Sequence, residues 1–170
     1  ASAAIAAISA AGLVAGQFLF LGFLPKAAKA RRELLAAVAR LPVALVVYEA
    51  PHRVRDTVAQ LGEELGGERT LVVARELTKK FESITRTTLN EAPAWFAADP
   101  NHERGEFVLL VDAPPETEAI AGEPELDLRR LLHLISDAYA EWDEERRGVV
   151  RSMRLLADET TAFTREVRES

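Results

Sequence analysis

Three polar clusters bring together the residue types that proton transfer and phosphate binding need. The first is Tyr48-Glu49-Ala50-Pro51-His52-Arg53. The second is Ala74-Arg75-Glu76-Leu77-Thr78-Lys79-Lys80-Phe81-Glu82, and the third is Arg104-Gly105-Glu106-Phe107. A carboxylate or amine at hydrogen-bond reach can relieve a reacting hydroxyl of its proton, and paired basic side chains can hold phosphate oxygens. Each cluster also has a plainer reading. Glu49 and Arg53 can form a salt bridge at a helix start, where a carboxylate suits the macrodipole, while Arg75, Glu76, Lys79 and Lys80 can be a solvated charged loop. His52 has no His or Cys partner at ligand spacing, so no metal site is expected, and His102 and His133 read as surface residues. The sequence contains no GxGxxG, P-loop, GxSxG or HExxH.

Each cluster sits at the end of an apolar run, and the pattern around those runs predicts the elements. Residues 2–12 read as an Ala-rich helix with Gly12 as its C-cap. Phe18-Leu19-Phe20-Leu21, between Gly16 and Gly22, reads as a buried strand. Residues 27–40 form an amphipathic helix with Leu34, Leu35 and Val38 on one face. Residues 43–48 are a second buried strand. A helix then starts at Pro51 and carries Val54, Val58 and Leu61 to Gly66-Gly67. Residues 70–74, 83–88 and 105–112 read as further strands, with a short helix over 89–98. Strand–helix–strand–helix–strand followed by extra strands argues an α/β fold with a mixed sheet, its ligands expected beyond the carboxyl ends of the strands.

Composition narrows the class. The 170 residues are 48% hydrophobic and 28% charged, as in a globular protein, and contain no cysteine, which excludes disulfides and thiolate metal sites. No apolar run approaches the ~18 residues of a membrane span. The opening Ala-Ser-rich stretch lacks the basic start of a signal peptide, and a chain beginning at Ala1 is expected to be the interior of a longer protein. Charge is unevenly placed. Residues 1–112 carry 13 Lys+Arg and 13 Asp+Glu, whereas residues 113–170 carry 8 against 14 and hold the whole net charge of −6.

Residues 1–112 are therefore expected to form the α/β domain and residues 113–125, rich in Pro, Glu and Ala, a linker. Residues 126–170 are expected to be a helical tail. In the tail Leu128, Ile135, Trp142, Val149, Leu156 and Phe163 recur every seven residues. Leu132, Tyr139, Met153, Thr160 and Val167 take the complementary offset, broken by Arg146. That seam predicts either a coiled coil that makes the chain a homodimer, or a hairpin turning near Gly148.

The four stretches Phe18–Pro25, Tyr48–Arg53, Ala74–Glu82 and Gly105–Val108 also stand together in the order and spacing of a known family. The sequence resembles the C-terminal half of the bacterial 16S rRNA cytidine 2′-O-ribose methyltransferases of the tetrapyrrole-methylase family. One departure is Arg86-Thr87-Thr88-Leu89, where the family pattern is Arg-Gly-Thr-Leu. The resemblance implies a tetrapyrrole-methylase-like C-terminal α/β domain and S-adenosylmethionine bound in a cleft between two domains. It further implies action on 16S rRNA in the small ribosomal subunit, a cytoplasmic location, and no membrane or metal partner. It assigns Tyr48, Glu49, Ala74, Arg75 and Gly105 to the cofactor and Arg53, Lys79 and Lys80 to RNA. Glu76, Lys79 and Lys80 are its candidates for the catalytic step, and the chain alone is expected to be inactive. The tail instead resembles the connector helix before output domains of bacterial signalling proteins. The alternative reading is thus a dimerising signalling module with a non-catalytic methylase-like domain.

Overall fold

The computed structural model describes residues 2–115, 130–141 and 143–144. Helix α1 (Ala3–Ala11) ends at Gly12, whose φ of 59° is the left-handed conformation expected of that C-cap. The order then runs β1 (Phe18–Phe23), α2 (Ala28–Val38), β2 (Ala44–Glu49), α3 (Val54–Leu65), β3 (Thr70–Arg75), β4 (Ser83–Thr88), α4 (Ala92–Ala98), a 3-10 turn (Pro100–Glu103) and β5 (Phe107–Val111). The mixed sheet is as expected, with strand order β1-β2-β5-β3-β4. Strands β1 and β2 are parallel, while β5 lies antiparallel between β2 and β3, and β4 pairs antiparallel with β3.

The period-two alternation of the strands feeds two cores. Val47, Val73 and Leu109 face Leu34, Leu35, Val58, Leu61 and Phe96 from α2, α3 and α4. On the opposite face Val46, Val72, Ala74 and Leu110 meet Ala4, Ala7 and Ala11 of α1, whose small side chains let the helix lie close to the sheet. All five residues of β5 are buried, as a strand covered on both faces requires.

Two boundaries differ from the sequence reading. Helix α3 begins at Val54, not Pro51, because residues 51–53 form a turn in which the Arg53 N–H donates to the Ala50 carbonyl at 3.0 Å. The short helix begins at Ala92, not Leu89. The Leu89 and Asn90 N–H groups are spent on the carbonyls of Arg69 and Gly67.

Residues 130–141 are helical and packed against the α/β core, with Leu131 and Ala138 buried and Leu134 and Ile135 beside them. The register of β1 slips between Phe20 and Gly22, and Gly22 (φ 66°) leaves room for the Tyr139 ring, 3.2 Å from where a Cβ would stand. The buried face is Leu131, Leu134, Ile135 and Ala138; of the heptad positions described, Ile135 packs on the core, Tyr139 meets Gly22 and Leu132 is exposed. The linker over 116–125, Trp142 and the heptads beyond 144 lie outside the described residues.

Candidate active site

Strands β1, β2 and β3 run the same way, so Phe23, Glu49 and Arg75 end at one rim, where the antiparallel β5 begins at Phe107. At that rim lies a cleft of about 630 Å³, within the range of small-molecule sites. Residues 48–52 form one wall, Glu106, Phe107 and Val108 another, and Ala3, Phe23 and Leu77 complete it.

The side chains of the first cluster are committed to building the rim. The Tyr48 ring meets Phe20 and Phe23 edge-on at 4.9 and 5.7 Å, and its hydroxyl accepts the Ala4 N–H at 3.1 Å, fastening the start of α1. Glu49 is buried. Its Oε1 accepts the Ala50 N–H at 2.8 Å and faces Arg53 Nε at 3.4 Å, and its Oε2 accepts the Thr57 hydroxyl at 2.6 Å. The salt bridge at the start of α3 is therefore present. Arg53 Nη2 donates to the carbonyls of Leu24 and Pro25 at 2.9 and 3.3 Å. Arg31 donates to the same Pro25 carbonyl and to Gln60. Burial, then the neighbouring charge of Arg53, lowers the pKa of the Arg31 guanidinium. Lys26, Arg31, His52, Arg53 and Asp56 line a second hollow of about 350 Å³, which shares His52 with the cleft.

The second and third clusters lock onto each other. Glu76 Oε1 accepts the Glu106 N–H at 2.8 Å and Lys79 Nζ at 3.0 Å, and Lys79 Nζ also reaches Glu106 Oε2 at 3.1 Å. The Glu106 N–H, then Lys79, holds the Glu76 carboxyl below the usual range. The bonds to Glu76 and Glu106 push the Lys79 ammonium up. Gly105 (φ 95°) fits because a Cβ there would collide with Glu76 Cγ. Glu76 and Thr78 have φ of 50° and 64°, a left-handed conformation uncommon outside glycine. The Thr78 N–H donates to the Glu82 carboxylate, which closes the loop.

Of the residues singled out from the sequence, Tyr48 and Glu49 line the cleft. Arg53 stands at the neighbouring hollow. Ala74 is buried under α1. Arg75 is turned to the Ser83 hydroxyl at 3.0 Å and the Asn101 carbonyl. Gly105 packs on Glu76, and Lys79 is tied between two carboxylates. Lys80 is exposed, with its ammonium 5.5 Å from the centroid of the Phe81 ring. His133 is exposed as expected, but His102 is half-buried, stacked on Trp95 at 3.9 Å. Among the described residues no group of three or more His, Asp or Glu could hold a metal, and no helix is long and apolar enough to cross a membrane.

Sequence reasoning placed Phe23, Leu77 and Glu106 within its stretches but gave them no role of their own, and it missed Arg31. Arg31 had a readable signal: with Leu34, Leu35 and Val38 it falls at i, i+3, i+4 and i+7, a charge on the apolar stripe.

Comparison with known proteins agrees with this architecture. The chain is 48% identical over 124 residues to the ribosomal RNA small subunit methyltransferase I of Pseudomonas aeruginosa, a match covering 71% of this chain and 44% of the relative. It is 42% identical over 118 residues to the Haemophilus influenzae protein of the same name, covering 69% and 42%. The chain thus spans less than half the length of these relatives. Among solved structures, the methyltransferase CobJ is 25% identical, with a TM-score of 0.50 over 66% of this chain and 48% of that one. The fold of the cobalt precorrin-4 methyltransferase CbiF matches with the same TM-score at 15% identity, over 65% and 48%. Residues 1–93, which span α1 to the start of α4, match the tetrapyrrole (corrin/porphyrin) methylases, and the chain belongs to that family.

Proposed function

We propose that this chain is the C-terminal part of an S-adenosylmethionine-dependent methyltransferase acting on a ribose 2′-hydroxyl of small-subunit ribosomal RNA in the cytoplasm. The observation that carries the reading is the rim cleft in a chain 48% identical to a relative named as a ribosomal RNA small subunit methyltransferase.

The cleft suits a nucleoside-bearing cation. Phe23, Leu77, Phe107 and Val108 offer apolar walls, Tyr48 an aromatic one, and Glu106 a carboxylate. When bound, S-adenosylmethionine supplies an electrophilic methyl group on a sulfonium centre. Tyr48 and Glu106 would hold it, and Glu49 acts behind them by fixing the turn at Ala50 and Arg53. A ribose hydroxyl sheds its proton as it reacts. Lys79 is a poor acceptor, since two carboxylates keep its proton on. Its role is to hold Glu106 at the cleft, and the Glu106 carboxylate is our candidate acceptor. Arg53, at the neighbouring hollow, and the exposed Lys80 would meet RNA phosphates.

A chimera tests the proposal. Residues 2–115 of this chain replace the matching segment of the Pseudomonas aeruginosa relative, which is assayed for methyl transfer to small ribosomal subunits. Transfer is expected from the chimera and lost in its Glu106→Gln variant, while the chain alone stays inactive. A folded chimera without transfer would overturn the reading.

A further inference from the structure

Phe81 is out of place by ordinary packing rules. Its side chain is 66% exposed, in a loop that the fold otherwise fixes tightly. Residues 76–82 enter through the Glu76 N–H bond to the Glu106 carbonyl at 3.0 Å, which continues the β3–β5 ladder past Arg75. The loop is then tied by the Lys79 N–H to Glu76 O at 2.9 Å, the Glu82 N–H to Lys79 O at 3.2 Å, and the carboxylates around Lys79. Two non-glycine residues, Glu76 and Thr78, are kept in left-handed backbone. Such outliers persist only where the surroundings over-determine them, and they gather at functional sites. Leu77 lines the wall of the cleft, and Phe81, in the same β3–β4 connection, is left unpacked with Lys80 as its neighbour. The loop thus places one apolar residue in the wall of the cleft and shows solvent an aromatic face beside a cation.

We propose that Phe81 is a stacking platform for an unpaired nucleobase flanking the nucleotide that enters the cleft, with Lys80 meeting the adjoining phosphate. The inference rests on the ribosomal RNA reading above. Single-stranded RNA is recognised by stacking splayed bases on aromatic side chains and steering the backbone with basic ones. A rigid loop lowers the ordering cost of such contacts. The platform serves a base on either side of the target without reading its edge, so it aligns the strand rather than selecting its sequence.

The test titrates the 170-residue chain with a short cytidine-containing single-stranded RNA at several salt concentrations. Phe81 is solvent-facing, so its variants keep the fold, which urea midpoints check. Phe81→Leu keeps the apolar bulk but removes the ring, and should weaken binding roughly 5- to 100-fold, as loss of one stacked base does. Its salt slope should not change. Lys80→Gln should instead lower the slope by about 0.7, one phosphate contact. Phe81→Trp should retain affinity, and the fluorescence it adds should be quenched by RNA. Equal affinity of the Phe81→Leu variant and the wild type overturns the platform. A second outcome does so too. If the emission added by Phe81→Trp in the methyl-transferring chimera is already shielded from acrylamide before RNA is present, the rest of the enzyme covers the site. If the chimera transfers methyl groups and Phe81→Leu binds normally, the platform alone falls. If stacking is seen but the chimera is inactive, the platform stands and the ribosomal RNA reading falls.

Discussion

Lys79 illustrates how one side chain's company decides its chemistry. With Glu76 at 3.0 Å and Glu106 at 3.1 Å, it is an ammonium clamp and not a base. The clamp has a pH window that follows from its two shifted partners. Glu76 is depressed in the folded state, so its contribution is present above the ordinary glutamate value and is lost as pH falls through the depressed one. Lys79 is raised, so its contribution is present below the ordinary lysine value and is lost as pH rises through the raised one. Glu76→Gln should therefore have a lower urea midpoint than the wild type between about pH 5 and 9, and the gap should narrow as pH falls below the ordinary glutamate value. A gap that persists undiminished at pH 3 would show that shape, rather than charge, does the tethering. Gly105 belongs to the same device, because any side chain there would push Glu76 away from the Glu106 N–H.

At the scale of elements, the site depends on how α2 and α3 are keyed together beneath the β1 and β2 ends. Arg31 on α2 donates to Gln60 on α3 and to the carbonyls of Pro25 and Lys26, and Gln60 Nε2 returns a bond to the Ala28 carbonyl at 3.2 Å. Arg31→Leu keeps the packing but strands the Gln60 carbonyl oxygen and the Pro25 loop. It should cost on the order of 1–3 kcal/mol in chemical denaturation, and an unchanged midpoint would show that water replaces the guanidinium. This keying marks the edge of what the sequence makes legible. The strands and helices were readable because apolar runs and 3.6-residue stripes are local signals, and the rim could be placed because ligands collect at the carboxyl ends of parallel strands. The position of β5 was not readable. Phe107-Val108-Leu109-Leu110-Val111 is apolar enough to be covered on both faces, but nothing local to it names β2 and β3 as its neighbours. The roles within the rim were hidden for the same reason. Glu76 and Lys79 stand in one cluster and Glu106 in another, and nothing local ties them until the fold brings positions 27 residues apart into contact.

At the scale of the molecule, the helix over 130–141 closes the open side of β1. Leu131 and Ala138 enter the larger core, Tyr139 lies on Gly22, and Glu141 accepts the Lys26 N–H at 3.3 Å. Partial burial, then the nearby Tyr48, raises the Tyr139 hydroxyl's pKa. Leu131→Ala should destabilise the α/β domain itself by about 2–4 kcal/mol. A midpoint equal to the wild type would mean that the helix does not dock in solution. The placement of β5 has a consequence for how the chain is made. Among the described strands, β2 and β3 are joined only through β5, the last of them in the sequence. As the chain emerges from the ribosome, β1–β2 and β3–β4 are two open-edged fragments with nothing between them. At ~5–20 residues per second the 36 residues from Arg75 to Val111 take roughly 2–7 s to add. During that interval two bare apolar strand edges await a partner, so the nascent protein is most exposed to aggregation, and most in need of a chaperone, just before its central strand arrives.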